Sequence, residues 1–468
     1  MTREVVVIGG GISGLAAAYY LRADGVRVTV LEKSAVIGGV LRVSDVAGLP
    51  VDEGAESLLN RRPEAVRLAR EVGLGDDIVH PADVPAGVWS RGRIHPLPPG
   101  TVMGVPGDPA ELTGLLDPDE VERVAAERAR PAPRPAADVA VGRLVADRLG
   151  APVVERLVEP FLGGVYAGHA DELSLEATVP ALAAALRQEP SLLDAVAAVR
   201  ATAPAEGPVF AGIRGGVGRL PGAVAAASGA GIHTRVTARG LTAADPGSGR
   251  RWRVETGPAP RPDFLLADAV VVAVPPAPAA RLLADIAPAA ARQLAAVEQA
   301  SVAIVTLALP RSSFPAVPES SGFLVPPVEG RTVKAVTLSS VKWPWLAELA
   351  GELVVLRASV GRHRQVADLQ RSDDDLVDVV MTELRAALGV RGEPVAARVS
   401  RWGGALPQYA VGHLARVARA RSAVAAVPGL AVCGASYEGV GVAACVAVAR
   451  FAATSVLDEL GAVPLSRT

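Results

Sequence analysis

Residues 3–14 read REVVVIGGGISG and join a β-branched run to three successive glycines. The run predicts a strand over residues 3–8, and the Ala-rich stretch that follows predicts a helix to about Ala23. A second apolar run, Val26 to Leu31, predicts the next strand and ends at Glu32. A strand, a glycine turn, a helix and a second strand together predict the opening unit of a dinucleotide-binding α/β fold.

The glycines of this stretch follow the spacing Gly9-x-Gly11-x-x-Gly14. In a dinucleotide-binding turn the first glycine permits the tight bend, the second lets the backbone approach a pyrophosphate, and the third allows the helix to pack closely on the strand. The helix N-terminus then presents its positive dipole end to the phosphates. Glu32 follows about 20 residues later, where an acidic side chain recognises ribose hydroxyls. A glycine-rich turn that binds no nucleotide is the alternative.

A second glycine motif favours FAD over a nicotinamide cofactor. Gly38 and Gly39 follow the acidic residue closely, and glycines there admit a cofactor at van der Waals distance from the backbone. Near the other end of the chain, residues 434–442 read GASYEGVGV and lead into an apolar helix whose N-terminal dipole would stabilise a reduced flavin. The remaining glycine cluster, residues 215–221, has Pro221 at the close-packing position, so we predict no second dinucleotide site.

Composition limits the other function classes. The 468 residues predict two or three domains, and half of them are hydrophobic. The net charge of −2 provides no basic face for nucleic acid. Two cysteines, Cys433 and Cys445, favour a reducing cytoplasm and are predicted to be core residues rather than a flavin attachment site. The histidines lack zinc-ligand spacing, so no metal site is predicted, and His169 and His413 are expected at the surface or in loops. No apolar run is long enough for a transmembrane segment.

The pattern of strands and helices predicts three modules of an α/β protein. An FAD-binding Rossmann-like domain is predicted to be assembled from the discontinuous segments 1–57, 217–290 and 422–468. A mixed-sheet substrate domain is predicted from 58–100, 200–216 and 291–421, where runs such as SVAIVTLAL alternate with turns. Residues 101–199 are predicted to form a mainly helical inserted domain, interrupted by a Pro-rich exposed loop at 131–138.

A middle segment of the chain carries a family resemblance. Residues 159–168, EPFLGGVYAG, continue as HADELSLEATVPAL, and GRIHPLPPG at 92–100, RWGGALPQY at 401–409 and GASYEGVGVAAC at 434–445 complete the pattern. Together with the first glycine turn these segments span nearly the whole chain. The sequence resembles the FAD-dependent protoporphyrinogen/coproporphyrinogen III oxidase family, and within it the Gram-positive coproporphyrinogen III oxidases most of all. General amine oxidases share the two ends but lack the middle segment.

The resemblance implies FAD contacts at both chain ends and at a few positions between them. They are Gly9, Gly10, Gly11, Ile12, Ser13, Gly14, Glu32, Lys33, Gly39, Leu41, Gly54, Ala55, Glu56, Ser57, Val236 (in a strand near the adenine), Trp402, Val440, Gly441 and Val442. Trp402 has packing beneath the flavin domain as its alternative role. No residue is assigned a catalytic role, because the flavin carries the chemistry. An arginine that binds a propionate in some relatives has no counterpart here, which leaves Arg42 and Arg214 as candidates.

The resemblance further implies a six-electron oxidation of a porphyrinogen in haem biosynthesis, in three flavin cycles that each pass two electrons to dioxygen and release hydrogen peroxide. Coproporphyrinogen III is the expected substrate, and protoporphyrinogen IX is the alternative. The rival classes are an amine oxidase or carotenoid desaturase, and a flavin-bearing interaction protein that docks through residues 111–200. A cytoplasmic location is expected, and a transient contact with a downstream haem-pathway enzyme or a membrane surface stays open.

Overall fold

A computed structural model describes residues 2–130, 135–202, 207–316 and 318–465. Of the predicted loop at 131–138, residues 131–134 lie outside the described residues. The strands of the described chain are β1 Arg3–Ile8, β2 Val26–Glu32, β3 Val43–Val46, β4 Leu49–Asp52, β5 Leu58–Leu59, β6 Ile78–Val79, β7 Gly87–Ser90, β8 Arg93–Pro96, β9 Phe210–Ile213, β10 Gly231–Thr234, β11 Gly240–Ala243, β12 Trp252–Thr256, β13 Asp263–Ala267, β14 Ala269–Val272, β15 Gln299–Pro310, β16 Gly322–Leu324, β17 Val333–Thr337, β18 Leu353–Val360, β19 Ala396–Pro407 and β20 Leu430–Val432.

The helices of the same residues are α1 Ile12–Tyr20, α2 Pro63–Glu71, α3 Pro118–Ala125, α4 Val141–Leu149, α5 Ala151–Val153, α6 Glu159–Tyr166, α7 Leu175–Thr178, α8 Pro180–Ala185, α9 Leu192–Thr202, α10 Leu220–Ser228, α11 Pro276–Leu283, α12 Pro288–Ala295, α13 Ser339–Lys342, α14 Pro344–Ala350, α15 Asp373–Leu388, α16 His413–Ala425 and α17 Val442–Leu460. A π-helical turn, Val154–Val158, joins α5 to α6.

A parallel sheet collects strands from the beginning, middle and end of the chain. Its order is β10-β2-β1-β14-β20, and neighbouring strands are parallel throughout. Strands β2 and β10 lie on one side of β1, and strands β14 and β20 lie on the other, which is the order of a dinucleotide-binding fold. Helix α1 packs against α10 and α17, and the antiparallel sheet β11-β12-β13, which contacts β1, joins the same apolar core. The predicted fold class is confirmed.

A mixed sheet with the order β19-β15-β18-β17-β16-β7-β8 forms the second body of strands. Its long central strands β15 and β18 are buried along most of their length, and successive side chains point to opposite faces of the sheet. Leu356 and Ala358 of β18 pack with Leu376 and Val380 of α15 in one apolar cluster. Residues of β18 with the opposite parity, such as Arg357, point away from α15. We call the face of the sheet that carries Arg357 the inner face.

The helices α3 to α9 enclose a core of their own. Leu157, Leu162, Leu182 and Leu193 are fully buried there. Helix α3 begins with a capping box, in which the Asp117 side chain accepts from the Glu120 N–H and the Glu120 carboxylate accepts from the Asp117 N–H. The prediction of a mainly helical middle segment is confirmed, whereas the exact division of the chain into three domains stays a prediction.

Val236 was expected in a strand, but β10 ends at Thr234 and Val236 lies in the loop beyond it. The change of direction occurs at Arg235, whose φ of 60° takes the backbone out of extended geometry. Among the residues that the structure describes, no helix has both the length and the apolar character needed to cross a bilayer.

Candidate functional site

The first glycine turn has room only for glycines where the chain packs on itself. A Cβ on Gly9, whose φ is 114°, would lie 2.4 Å from the Ala273 carbonyl oxygen. A Cβ on Gly14 would lie 1.9 Å from the Gly9 carbonyl oxygen, which blocks the close packing of α1 on β1. Gly11 differs, because a Cβ there would meet nothing within 4 Å. The turn is therefore tightly packed at Gly9 and Gly14 and leaves open space at Gly11.

Gly11 is also the N-cap of α1, and no side chain caps it. The first N–H groups of a helix lack intrahelical partners and carry the positive end of the dipole. The open space above Gly11 therefore adjoins free donors, as a pyrophosphate requires. Ile12 and Ser13, the next predicted contacts, are buried in the first turn of α1 and present backbone rather than side chain to that space.

Glu32 is fixed at the end of β2 by three hydrogen bonds. One carboxylate oxygen accepts from the Gly10 N–H at 2.8 Å, and the other accepts from the N–H and the hydroxyl of Ser34, each at 2.7 Å. The Val236 N–H donates to the Glu32 carbonyl at 2.9 Å, so these two predicted cofactor contacts are neighbours. Lys33 lies beside them with an exposed side chain.

The second glycine motif contacts the first glycine turn. The Gly38 N–H donates to the Gly10 carbonyl at 2.8 Å, and a Cβ on Gly39 would approach the Gly11 Cα to 3.4 Å. Leu41, two residues on, is buried with 2% of its surface exposed. A Cβ on Gly54 would lie 2.0 Å from the Val40 carbonyl oxygen, which brings the loop 54–57 to the same place. The structure thus joins three motifs that are separate in the sequence.

The loop 54–57 is tied to the inner face of the mixed sheet through Glu56. Its carboxylate accepts hydrogen bonds from Lys342 (2.7 Å), Arg357 (2.9 Å), Ser339 (2.9 Å) and Trp343 (3.3 Å). Burial alone would raise the pKa of Glu56, but the cations Lys342 and Arg357 outweigh it and hold the pKa far below its usual range. Lys342 also donates to the Ser57 hydroxyl at 2.8 Å. The side chains of Glu56 and Ser57 therefore face the sheet, and the exposed Ala55 precedes them.

Asp52 occupies the donors of the other glycine cluster. Its carboxylate accepts from the Val217 N–H at 3.0 Å and from the Gly218 N–H at 2.8 Å. Burial raises the pKa of Asp52 to about 6, although both amides favour the charged form. A phosphate would compete with this carboxylate for the same amides, so the cluster is built for packing within the protein.

The last glycine segment leads to the N-terminus of α17. Gly441 is the N-cap, with no side-chain cap and nothing within 4 Å of an added Cβ. Val442 opens the helix, and Val440 packs against the apolar cluster of the helical segment. Helix α17 packs along α1, and Cys445 in the first turn of α17 hydrogen-bonds to Ser13 in the first turn of α1, so the two uncapped N-termini belong to one region of the molecule. This is a second place where free N–H donors face open space.

Tyr409 and His413 pack against this glycine segment. The Tyr409 hydroxyl donates to the Ala435 carbonyl at 2.6 Å, and the His413 ring stacks on Tyr409 with a centroid distance of 3.9 Å. His413 is only 2% exposed, so its expected surface position is wrong, and burial lowers its pKa to about 4. His169 is half-buried beside Glu159, whose hydrogen bond raises the pKa of the imidazole.

Trp402 lies on β19 at the edge of this region. Its indole N–H donates to the Glu53 carbonyl at 2.8 Å, and its ring packs against an apolar cluster that includes Ala167, the alanine of the EPFLGGVYAG segment. The Arg42 guanidinium lies 5.4 Å from the centre of the Trp402 ring. Arg214 is exposed in the turn after β9, where its N–H donates to the Asp77 carbonyl. Only Arg42 of the two candidate arginines lies beside a predicted cofactor contact.

The two cysteines are core residues, as the sequence predicts. Both are buried and free. Burial raises the pKa of the Cys433 thiol well above its usual range and that of Cys445 to about 11. A protonated thiol is a weak nucleophile, which argues against a covalent bond to a flavin.

Several supporting residues have no counterpart in the sequence motifs. Lys342, Arg357 and Lys334 belong to this group. The Lys334 ammonium donates to the Gly163 carbonyl at 3.3 Å and so fastens α6 to the sheet, and burial lowers its pKa to about 7. The only available signal was the scarcity of lysine, since Lys33, Lys334 and Lys342 are the only lysines in the chain.

The site has the donor set of a dinucleotide: two uncapped helix N-termini, a carboxylate at the end of β2 and glycine turns open on one side. The residues present fit FAD on these observations. Fold and site together define a flavoprotein built on a dinucleotide-binding sheet.

Comparison with known proteins agrees with this class. The model of the flavin containing amine oxidoreductase family matches residues 12–457, and the chain belongs to that family. It is 41% identical to a coproporphyrinogen III oxidase of Mycobacterium tuberculosis and 31% identical to one of Bacillus subtilis, in each case over 98% of both chains. A solved structure of a putative protoporphyrinogen oxidase from Exiguobacterium sp. 255-15 superposes with a TM-score of 0.86 at 31% identity, over 98% of this chain and 99% of the other. The protein is a flavin-dependent oxidoreductase, and its cofactor is FAD.

Proposed function

We propose that this protein oxidises coproporphyrinogen III to coproporphyrin III with dioxygen, as a step of haem biosynthesis. The porphyrinogen loses six hydrogens, and three molecules of dioxygen become three of hydrogen peroxide, so atoms and electrons balance. The observation that carries the proposal is the 41% identity over 98% of both chains with the Mycobacterium tuberculosis protein of that name. The EPFLGGVYAG segment, which general amine oxidases lack, supports it.

The residues gathered at the site would hold FAD in an extended form. We assign the pyrophosphate to the turn Gly9–Gly14, the adenosine ribose to Glu32 and the flavin ring to the region between Trp402 and the N-terminus of α17. When bound, FAD supplies the two-electron acceptor that no side chain provides. The uncapped α17 N-terminus would then place positive potential near the negative charge of the reduced ring.

The substrate would lie against the inner face of the mixed sheet. Ile304 and Ser359 are paired across β15 and β18 on that face, and both are only half-buried. Val165 of α6 is 42% exposed and Val40 of the second glycine motif is 39% exposed. An incompletely covered apolar surface beside a cofactor site suits a flat macrocycle, which the protein must hold with one methylene bridge at the flavin.

Protoporphyrinogen IX is the second candidate substrate, because the Exiguobacterium structure carries that activity in its name. Purified protein supplied with each porphyrinogen in turn distinguishes them through the rate of porphyrin fluorescence. We expect a higher kcat/KM for coproporphyrinogen III. A preference for the divinyl substrate would overturn the choice, and hydrogen peroxide release from polyamines without porphyrin formation would overturn the proposed reaction.

We also propose a setting for the reaction. The scarcity of cysteine supports a cytoplasmic location, with dioxygen as the electron acceptor. The product is a free porphyrin, so a metal-inserting enzyme must consume it, and a transient contact with that enzyme or with a membrane surface would limit its release.

A further inference from the structure

One cation at the site lacks an opposite charge. The Nε atom of Arg42 is buried and has no hydrogen-bond partner, and no ion pair of Arg42 occurs among residues 2–130, 135–202, 207–316 and 318–465. Its recorded side-chain contact is with the face of Trp402 at 5.4 Å. A buried N–H without a partner is destabilising, so it is expected to find one in the working protein.

The neighbouring cations differ from Arg42 in this respect. Lys342 and Arg357 share the Glu56 carboxylate at 2.7 and 2.9 Å. Arg398 pairs with Glu53 at 2.6 Å. The protein therefore neutralises these three cations with its own carboxylates, although the Nε atom of Arg357 likewise has no hydrogen-bond partner, and leaves the charge of Arg42 available.

The backbone of Arg42 is also held firmly. Its carbonyl accepts from the Glu53 N–H at 2.8 Å, and an added Cβ on Gly218 would lie 2.4 Å from its carbonyl carbon. Contact from both sides fixes the direction in which the side chain leaves the chain. The side chain extends from backbone next to Gly39 and Leu41 toward Trp402. The sequence predicts all three of these residues as cofactor contacts.

We propose that Arg42 binds an anionic oxygen in the loaded site, carried either by the pyrimidine edge of the reduced flavin or by a carboxylate of the substrate. Arginine suits both, because its planar fork binds carboxylates and stacks on an aromatic ring at the same time. The proposal rests on the proposed function only for the carboxylate. For the flavin it rests on the family membership alone.

The test compares the FAD-loaded protein with three variants. Arg42→Gln removes the charge, and Arg42→Lys keeps the charge without the fork. Arg401→Gln is the matched control, since Arg401 adjoins Trp402 in sequence but pairs with Asp373 at the surface. The first measurement is the two-electron midpoint potential of the bound flavin. The second is the ratio of the dissociation constants of coproporphyrin III and its tetramethyl ester, which lacks the charged carboxylates.

If the flavin is the source of the anion, Arg42→Gln makes flavin reduction at least tenfold less favourable, a fall of about 30 mV for a two-electron couple. If the substrate is the source, the potential is unchanged and the preference for the free acid over the ester falls at least tenfold. Arg42→Lys should be intermediate, and Arg401→Gln should match the unaltered protein. A flavin potential and a ligand ratio both within twofold of the unaltered protein, in an Arg42→Gln variant that retains FAD, would overturn the proposal.

Two remaining results are also informative. Arg42→Gln could lose FAD while circular dichroism shows the native fold; an FAD affinity at least tenfold weaker than that of the unaltered protein then supports the flavin as the source. An FAD affinity of Arg42→Lys equal to that of the unaltered protein would confirm that the lost charge is the cause. A shifted potential in a protein that never oxidises coproporphyrinogen III would sustain this inference while the proposed function fails.

Discussion

The hydroxyl oxygen of Tyr409 accepts a hydrogen bond from the backbone N–H of Gly439 at 2.7 Å. The same hydroxyl donates to the Ala435 carbonyl, so one side chain spans the glycine segment that precedes α17. Tyr409 follows the end of β19 and is 1% exposed. It therefore connects the mixed sheet to the helix N-terminus that we assign to the flavin.

Tyr409→Phe tests this connection. The substitution keeps the ring but leaves two half-buried backbone groups without this partner, which costs up to about 1–3 kcal/mol. We expect a lower free energy of unfolding and weaker FAD retention, measured by denaturant titration and by release of flavin on gel filtration. Unchanged stability and unchanged retention would mean that water replaces the hydroxyl and that the connection has no structural role.

Glu56→Gln tests the junction between the loop 54–57 and the inner face. Removing the carboxylate leaves the Lys342 and Arg357 charges buried without compensation, for which about 3–5 kcal/mol is typical. Glu393→Gln is the control, because its pair with Arg385 is exposed and such pairs contribute less than about 1 kcal/mol. Denaturant unfolding should separate the two variants clearly, and equal stabilities would contradict the account.

Asp52 predicts a pH dependence of stability. Burial raises its pKa from 3.8 to about 6, so the folded protein binds this proton more tightly than the unfolded chain does. The contribution of Asp52 to the free energy of unfolding must therefore fall as the pH rises from about 4 to 6, by roughly 3 kcal/mol. Asp52→Asn lacks this contribution. The stability difference, unaltered protein minus variant, should decrease over that interval and stay constant above it; an increase would contradict the predicted sign.

Gly14→Ala tests the closed side of the first glycine turn. Its Cβ would lie 1.9 Å from the Gly9 carbonyl oxygen, so α1 must move away from β1. We expect loss of FAD retention, read from the flavin absorbance of the purified protein. Gly222→Ala is the control, since a Cβ there meets nothing within 4 Å and alanine favours a helix by up to about 1 kcal/mol. A yellow, stable Gly14→Ala protein would refute the close-packing argument.

The sequence was most informative where a motif is local. The first glycine turn, Glu32 and the strands on either side depend on residues within a span of about 30, so spacing alone predicted them. The family resemblance extended the prediction to both ends of the chain. The structure then brought the two glycine motifs into contact through the hydrogen bond between Gly38 and Gly10.

Contacts between distant segments were beyond such reasoning. Lys342 lies 286 residues from Glu56, and no local pattern signals that a predicted cofactor contact is held by an ion pair. His413 follows a glycine at the start of a helix, where exposure is common, yet stacking on Tyr409 buries it. Val236 alternates with Ile232 and Thr234 as in a strand, but the backbone turns at Arg235. In each case tertiary packing overrides the local preference.

The most direct test of the central claim is an anaerobic titration of the purified, FAD-loaded protein with coproporphyrinogen III. The account predicts that flavin absorbance bleaches, that three equivalents of flavin are reduced for each coproporphyrin III formed, and that admission of air restores the colour. A protein that cannot retain FAD, or a flavin that stays oxidised in the presence of the porphyrinogen, would contradict it.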